Sequence, residues 1–127
     1  MKAKCSAVGV DIDPKAEDIA RENAAYNGFS APEFTALTGN VTEDQALMAS
    51  LAAREYDLVL VNIVADVIIG LALTLPGFLT NRSTLICSGI LDTRLDDVSA
   101  ALKKAGLTVT EVKAKEDWRC VTAVKAL

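Results

Sequence analysis

What most constrains this chain is a regular alternation of short apolar runs with helix-forming stretches. Ala7–Val10 ("AVGV") reads as a strand. Asp13-Pro14 then opens a helix, because aspartate accepts the first free amide hydrogens and proline fits the first helical position. Ala16, Ile19, Ala20, Asn23 and Ala24 recur on one helical face, and Gly28 is a natural stop. The pattern predicts a strand over Glu33–Ala36 that ends at Thr38-Gly39-Asn40, and a helix over Gln45–Arg54. Asp57–Val61 ("DLVLV") is a third strand with Asn62 at its tip, followed by an aliphatic helix over Ala65–Leu75 that Pro76-Gly77 breaks. Thr84–Ser88 reads as a fourth strand and Arg94–Ala105 as an amphipathic helix capped by Gly106. Two last strands, Thr108–Lys113 and Arg119–Val124, flank a turn at Glu116-Asp117.

Strands alternating with helices imply an α/β fold with a doubly wound, mostly parallel sheet. The final two strands are joined too tightly for a crossover, so the last is expected to run antiparallel. Ligands of such sheets gather at the carboxyl ends of the strands. The residues at those ends are Asp11, Asn40, Asn62 and Ser88, which together form the candidate site.

Composition narrows the function classes. The 127 residues suit one domain, 1–127, with a core of its own, and 51% hydrophobic against 24% charged residues excludes a disordered chain. A net charge of −4 offers no basic footprint for nucleic acid or an anionic membrane. The chain has no histidine, the usual general base and a common metal ligand, so no metal site is expected. Cys5, Cys87 and Cys120 lack a CxxC spacing and read as small, reduced, buried side chains of a cytoplasmic protein. The run Leu58–Leu79 is apolar enough to raise a membrane span, but Asn62, Asp66 and Pro76 interrupt it. The first residues lack the apolar stretch of a signal peptide.

Asp11 sits where nucleotide-binding α/β proteins hold a ribose, although a glycine-rich turn is expected about 20 residues ahead of it. Only ten residues precede it here, and Gly9 is their sole glycine. Read without a ligand, Asp11 belongs to a charged loop, Asn62 satisfies a turn through its own side chain, and Asn40 beside Gly39 is a turn residue. Trp118 reads as core or turn packing.

Two families share this pattern. "VGVDIDP" and "YDLVLVN" resemble the magnesium and phosphoacceptor strands of receiver domains, which would make the chain a non-catalytic interaction or signalling module. The acceptor position is Asn62, however, and an amide cannot form an acyl phosphate; the lysine-proline that such domains carry after the fifth strand is also missing.

The second resemblance runs from Ala7 to Lys125. "GVDIDPKA…ARENAAYNG", "YDLVLVNIVADVI", "SGIL", "LKKAGL" and "EDWRCVTAV" follow one another as in bacterial PrmA-type methyltransferases, which modify a ribosomal stalk protein. The resemblance implies a Rossmann-like fold and S-adenosylmethionine as cofactor. It also implies a ribosomal protein as substrate, with no direct nucleic-acid contact. It makes Asp11 the acceptor for both ribose hydroxyls and packs Ile12 on the adenine. Asn40 takes the place of an aspartate that meets the adenine amino group; an amide accepts that bond but also brings donors. Asn62 becomes the catalytic residue, facing the sulfonium methyl and accepting a hydrogen bond from the incoming amine. The family's first strand and glycine-rich turn have no counterpart in these residues, nor does its substrate-recognising domain. Removing that strand from the family order leaves 2-1-3-4-6-5 in this chain's numbering, with Ala7–Val10 and Asp57–Val61 as direct neighbours. It also implies weak or absent cofactor binding by the chain alone, and an exposed strand edge through which a homodimer could form.

Overall fold

The computed structural model describes residues 7–11, 13–28, 34–40, 43–54 and 56–125. They divide into two compact units, Met1–Met48 and Ala49–Leu127.

In the first unit, β1 (Ala7–Asp11) pairs in parallel with β2 (Phe34–Thr38), from Ala7 opposite Phe34 to Asp11 opposite Thr38. The crossover between them is α1 (Pro14–Tyr26), and its start follows the sequence closely: Asp13 Oδ1 accepts from Lys15 N at 2.9 Å, with Pro14 in the first turn. Polar contacts tie α1 to β2. Glu17 and Arg21 pair at 3.3 Å, Thr38 Oγ1 donates to Glu17 Oε1 at 3.0 Å, and Arg21 Nη2 donates to the Ala36 carbonyl at 3.0 Å. Ala36 is buried, but α1 buries no residue, and Ile19 on the expected apolar face is exposed. The spacing therefore identified the helix while overstating how much of it is covered.

α2 (Gln45–Ala52) carries the chain from one unit into the other. The second unit holds a four-stranded sheet in the order β3-β4-β6-β5, built from β3 (Tyr56–Asn62), β4 (Leu79–Leu91), β5 (Leu107–Lys115) and β6 (Trp118–Lys125). β3 runs parallel to β4, while β6 is antiparallel to both β4 and β5. Its helices are α3 (Ala65–Leu71) and α4 (Leu95–Lys104). The aliphatic run after Asn62 makes a shorter helix than expected, and Pro76 lies in a 3-10 turn over Leu75–Phe78. Ile68 of α3, Leu85, Cys87 and Ile90 of β4, Val98 and Leu102 of α4, and Val121 of β6 are fully buried and make the core. Among the described residues no helix is long and apolar enough to cross a membrane.

The order within each sheet, β1-β2 and β3-β4-β6-β5, agrees with the expected winding, but one join does not. Among the described residues no ladder links β1 to β3, so the expected direct pairing is corrected to two separate sheets. β1 brings only Val8 and Val10 as sizeable side chains, and it takes its ladder from β2 alone. Among the described residues β3 likewise has a ladder on one side only, and it exposes Leu58 and Leu60. The opposite edge, β5, presents Glu111, Lys113 and Lys115 to solvent.

β4 was expected over five residues and extends over thirteen. Its early part is secured by Ser83, the one buried polar residue among those described. Ser83 Oγ accepts from Thr80 N at 2.8 Å and donates to the Tyr56 carbonyl, closing the β3–β4 ladder at its irregular end. Replacing Ser83 with alanine leaves both backbone groups without this partner and is expected to destabilise the protein by about 1–3 kcal/mol. Urea denaturation measures the loss; an unchanged midpoint would show that the hydroxyl contributes nothing net.

Candidate active site

The expected site residues fall at strand ends within each unit. In the first, Asp11 closes the β1–β2 ladder opposite Thr38, and Asn40 follows β2 by two residues. The Asn40 carbonyl accepts from Glu43 N at 3.0 Å and Asp44 N at 2.8 Å, which starts the turn into α2. Asp44 Oδ1 then accepts from Leu47 N at 2.9 Å. A Cβ on Gly39 would lie 2.5 Å from Leu47 Cδ2, the movable end of a side chain that packs close to this backbone. Ile12 lies outside the described residues.

In the second unit, Asn62 and Ser88 stand in register at the carboxyl end of the parallel β3–β4 pair. Asn62 is exposed, and its side-chain amide makes no hydrogen bond among the described residues. Its neighbour across the ladder explains how it fits. Gly89 has φ 79°, and a Cβ there would come within 2.9 Å of Asn62 Oδ1 and 3.2 Å of the Ile63 carbonyl. The same glycine lies in a bulge: between Cys87 and Ile90 the pairing with β6 advances three residues on β4 against two on β6, from Val121 to Arg119. β4 thus bends away where the turn after Asn62 needs room.

That turn leads through Val64 into α3, and beside it opens a cleft of about 130 Å³ lined by Val64, Ala65, Asp66, Gly89, Leu91, Arg94 and Trp118. Trp118, expected in core or turn packing, directly follows the turn and is 52% exposed, so it is a wall of this cleft and not part of the core. Gly89, Leu91 and Arg94 line the cleft although nothing in the sequence alone singles them out as site residues. The "SGIL" and "EDWRCVTAV" segments held the signal, but only the β4–β6 pairing shows that they meet, with Leu91 opposite Trp118.

Charge at the rim is locked in pairs. Arg94 Nη2 lies 2.6 Å from Asp66 Oδ1 at the start of α3, and Arg94 Nε lies 3.1 Å from Asp97 Oδ2. The hydrogen bond and positive charge of Arg94 hold the Asp66 carboxyl below its ordinary range, and the two aspartates raise Arg94. Cys87 is different in kind. Burial, reinforced by Cys120, pushes its thiol up to about 12, so it stays protonated and serves as core. Both cysteines are free.

Two measurements check this geometry. Gly89→Ala forces a left-handed conformation on alanine and crowds Asn62, so a loss of about 1–2 kcal/mol is expected. It should also shift the Asn62 side-chain amide signals in an NMR spectrum; unshifted signals would separate the two residues. The Asp66 carboxyl should titrate below 3.8, the ordinary aspartate value, because Arg94 favours its ionised form. Since the folded value is the lower one, the pair contributes in full above that ordinary value and is lost as pH falls through the folded value. Arg94→Met should return the midpoint to the ordinary value in an NMR titration.

Comparison with known proteins places the chain. Residues 2–126 match the family described as ribosomal protein L11 methyltransferase (PrmA). The ribosomal protein L11 methyltransferase of Agathobacter rectalis is 35% identical over 118 residues, 93% of this chain and 36% of that protein. The one from Fusobacterium nucleatum is 33% identical over 113 residues, 89% of this chain and 34% of that protein. The chain therefore spans about a third of the length of the curated relatives it matches. Among solved structures, the ribosomal protein L11 methylase from Lactobacillus delbrueckii subsp. bulgaricus superposes with a TM-score of 0.82 at 23% identity, covering 98% of this chain and 60% of that one. A putative methyltransferase, SMU.776, complexed with SAH, has a TM-score of 0.74 at 10% identity, covering 94% of this chain and 39% of that one. These two likenesses speak for the fold, a methyltransferase-like α/β arrangement with mostly parallel strands. With nearly its whole length matched to one family model, the chain belongs to the ribosomal protein L11 methyltransferase (PrmA) family.

Proposed function

We propose that this chain carries the acceptor half and the nucleoside-binding half of an S-adenosylmethionine-dependent protein N-methyltransferase acting on a ribosomal protein. The observation that carries the reading is the Asn62 amide, exposed and without a hydrogen-bond partner among the described residues, at the end of a parallel strand and beside an apolar cleft. The amide oxygen accepts an N–H from a neutral amine and directs the nitrogen lone pair toward the methyl carbon. This is positioning rather than base catalysis, and the proton displaced from nitrogen passes to solvent. The stem of the amine lies in the cleft against Trp118, Leu91 and Val64.

When bound, S-adenosylmethionine supplies an electrophilic methyl group. The donor set suits its nucleoside. A carboxylate at the end of β1 offers two acceptor oxygens for a diol, Ile12 offers apolar surface to the adenine, and Asn40 offers an acceptor to its amino group. We take residues 1–127 as part of a single methyltransferase domain. For the 127-residue chain by itself we expect weak cofactor binding, because the residues before Asp11 contain no glycine-rich turn for the methionine end.

The test is transfer of labelled methyl from millimolar S-adenosylmethionine to ribosomal protein L11. Slow incorporation by the chain is expected, reduced about 100-fold in Asn62→Ala. No incorporation at saturating cofactor, confirmed as saturating by calorimetry, would remove catalysis from this chain. Equal rates for the variant would remove Asn62 from the mechanism.

A further inference from the structure

Burial runs in an unexpected order at the start of β6. The side chain of Arg119 is only 21% exposed, whereas Trp118 beside it is 52% exposed. Charged side chains are ordinarily the exposed ones and large apolar ones the covered ones. What the sheltered guanidinium touches accounts for the reversal. Arg119 Nη1 donates to the carbonyl oxygens of Glu116 and Trp118, each at 2.9 Å. Its Nη2 lies 4.0 Å from Asp92 Oδ2, on the short 3-10 turn that leads into α4. Asp92 N in turn donates to the Asp117 carbonyl at 2.8 Å.

These contacts converge on the tight turn between β5 and β6. Glu116 sits there at φ 54°, a left-handed conformation unfavourable for a residue with a Cβ. Both bonds come from one nitrogen, Nη1, so a single planar and always charged group ties the Glu116 and Trp118 carbonyls together. Among the described residues Trp118 has no ring partner, so packing against another aromatic does not fix its indole. Its position is inherited from the backbone that Arg119 grips.

We infer that Arg119 is a positioning residue: it holds the Glu116 carbonyl within the turn and the Trp118 carbonyl just after it, and thereby sets Trp118 as the wall of the cleft. The consequence for substrate rests on the reading of that cleft as the acceptor pocket; the hold on Trp118 does not. The contact with Asp92 is long and partly exposed, so it adds little beyond the carbonyl bonds.

Trp118 is the only tryptophan in the chain, so its fluorescence reports on this wall alone. Arg119→Ala is expected to raise acrylamide quenching about twofold through a looser hairpin end, with the melting temperature nearly unchanged. Arg119→Lys, which is the gentler change, should fall between the two, and Asp92→Asn should stay close to the parent. Unchanged quenching in both Arg119 variants overturns the inference. Equal increases in Arg119→Ala and Asp92→Asn also overturn it, because the ion pair alone would then account for the effect. A second titration uses Nα-acetyl-lysine amide, with Nα-acetyl-norleucine amide as the uncharged control. Arg119→Ala should bind the lysine amide about three- to tenfold more weakly, the range one hydrogen bond's net contribution allows. A parent protein that ignores the lysine amide refutes the acceptor reading of the cleft, and the quenching series still decides the role of Arg119.

Discussion

The second unit depends on one ladder, the parallel pairing of β3 with β4. It sets Asn62 opposite Ser88, and it brings Gly89 up against the turn that follows Asn62. Everything chemically interesting lies within a few residues of that point. The bulge in β4 lets the strand clear the turn and still pair with β6, and β6 delivers Trp118 opposite Leu91. A side chain at position 89 would disturb all three at once, since the left-handed backbone and the crowding of Asn62 have the same residue as their cause.

The two units are held by different physics. The second has a core of aliphatic side chains from both helices and the central strands, fully removed from water. Among the described residues the first buries Ala36 and carries a relay of polar contacts, Thr38 to Glu17 to Arg21 to the Ala36 carbonyl. Apolar burial contributes roughly 25 cal/mol per Å², whereas exposed ion pairs contribute at most about 1 kcal/mol.

Much of this was legible in the sequence because the signals were local. Asp13-Pro14 announced α1, the Asp57–Val61 run announced β3, and the tight spacing at Glu116-Asp117 announced an antiparallel hairpin. The position of Asn62 at a strand end followed from the same alternation. What remained hidden was non-local. The length of β4 depends on pairing with β3 on one side and β6 on the other, which no window of residues reveals. Ile19 matched a helical stripe, but a stripe states only which face could be covered, not that something covers it. Trp118 was expected in core or turn packing, and its exposure beside a sheltered Arg119 that bonds the Glu116 and Trp118 carbonyls is not visible in a window of residues.

The two edges of the four-stranded sheet differ in one last respect. β5 carries Glu111, Lys113 and Lys115, and charges along an edge discourage a further strand from adding there. β3 carries Leu58 and Leu60 in exposed positions, with Asp57 as its one charged residue. Charge therefore discourages strand addition along β5, and among the described residues no such row of charges lies along β3. A charge introduced at Leu60 would give β3 the same kind of protection that Glu111, Lys113 and Lys115 give β5.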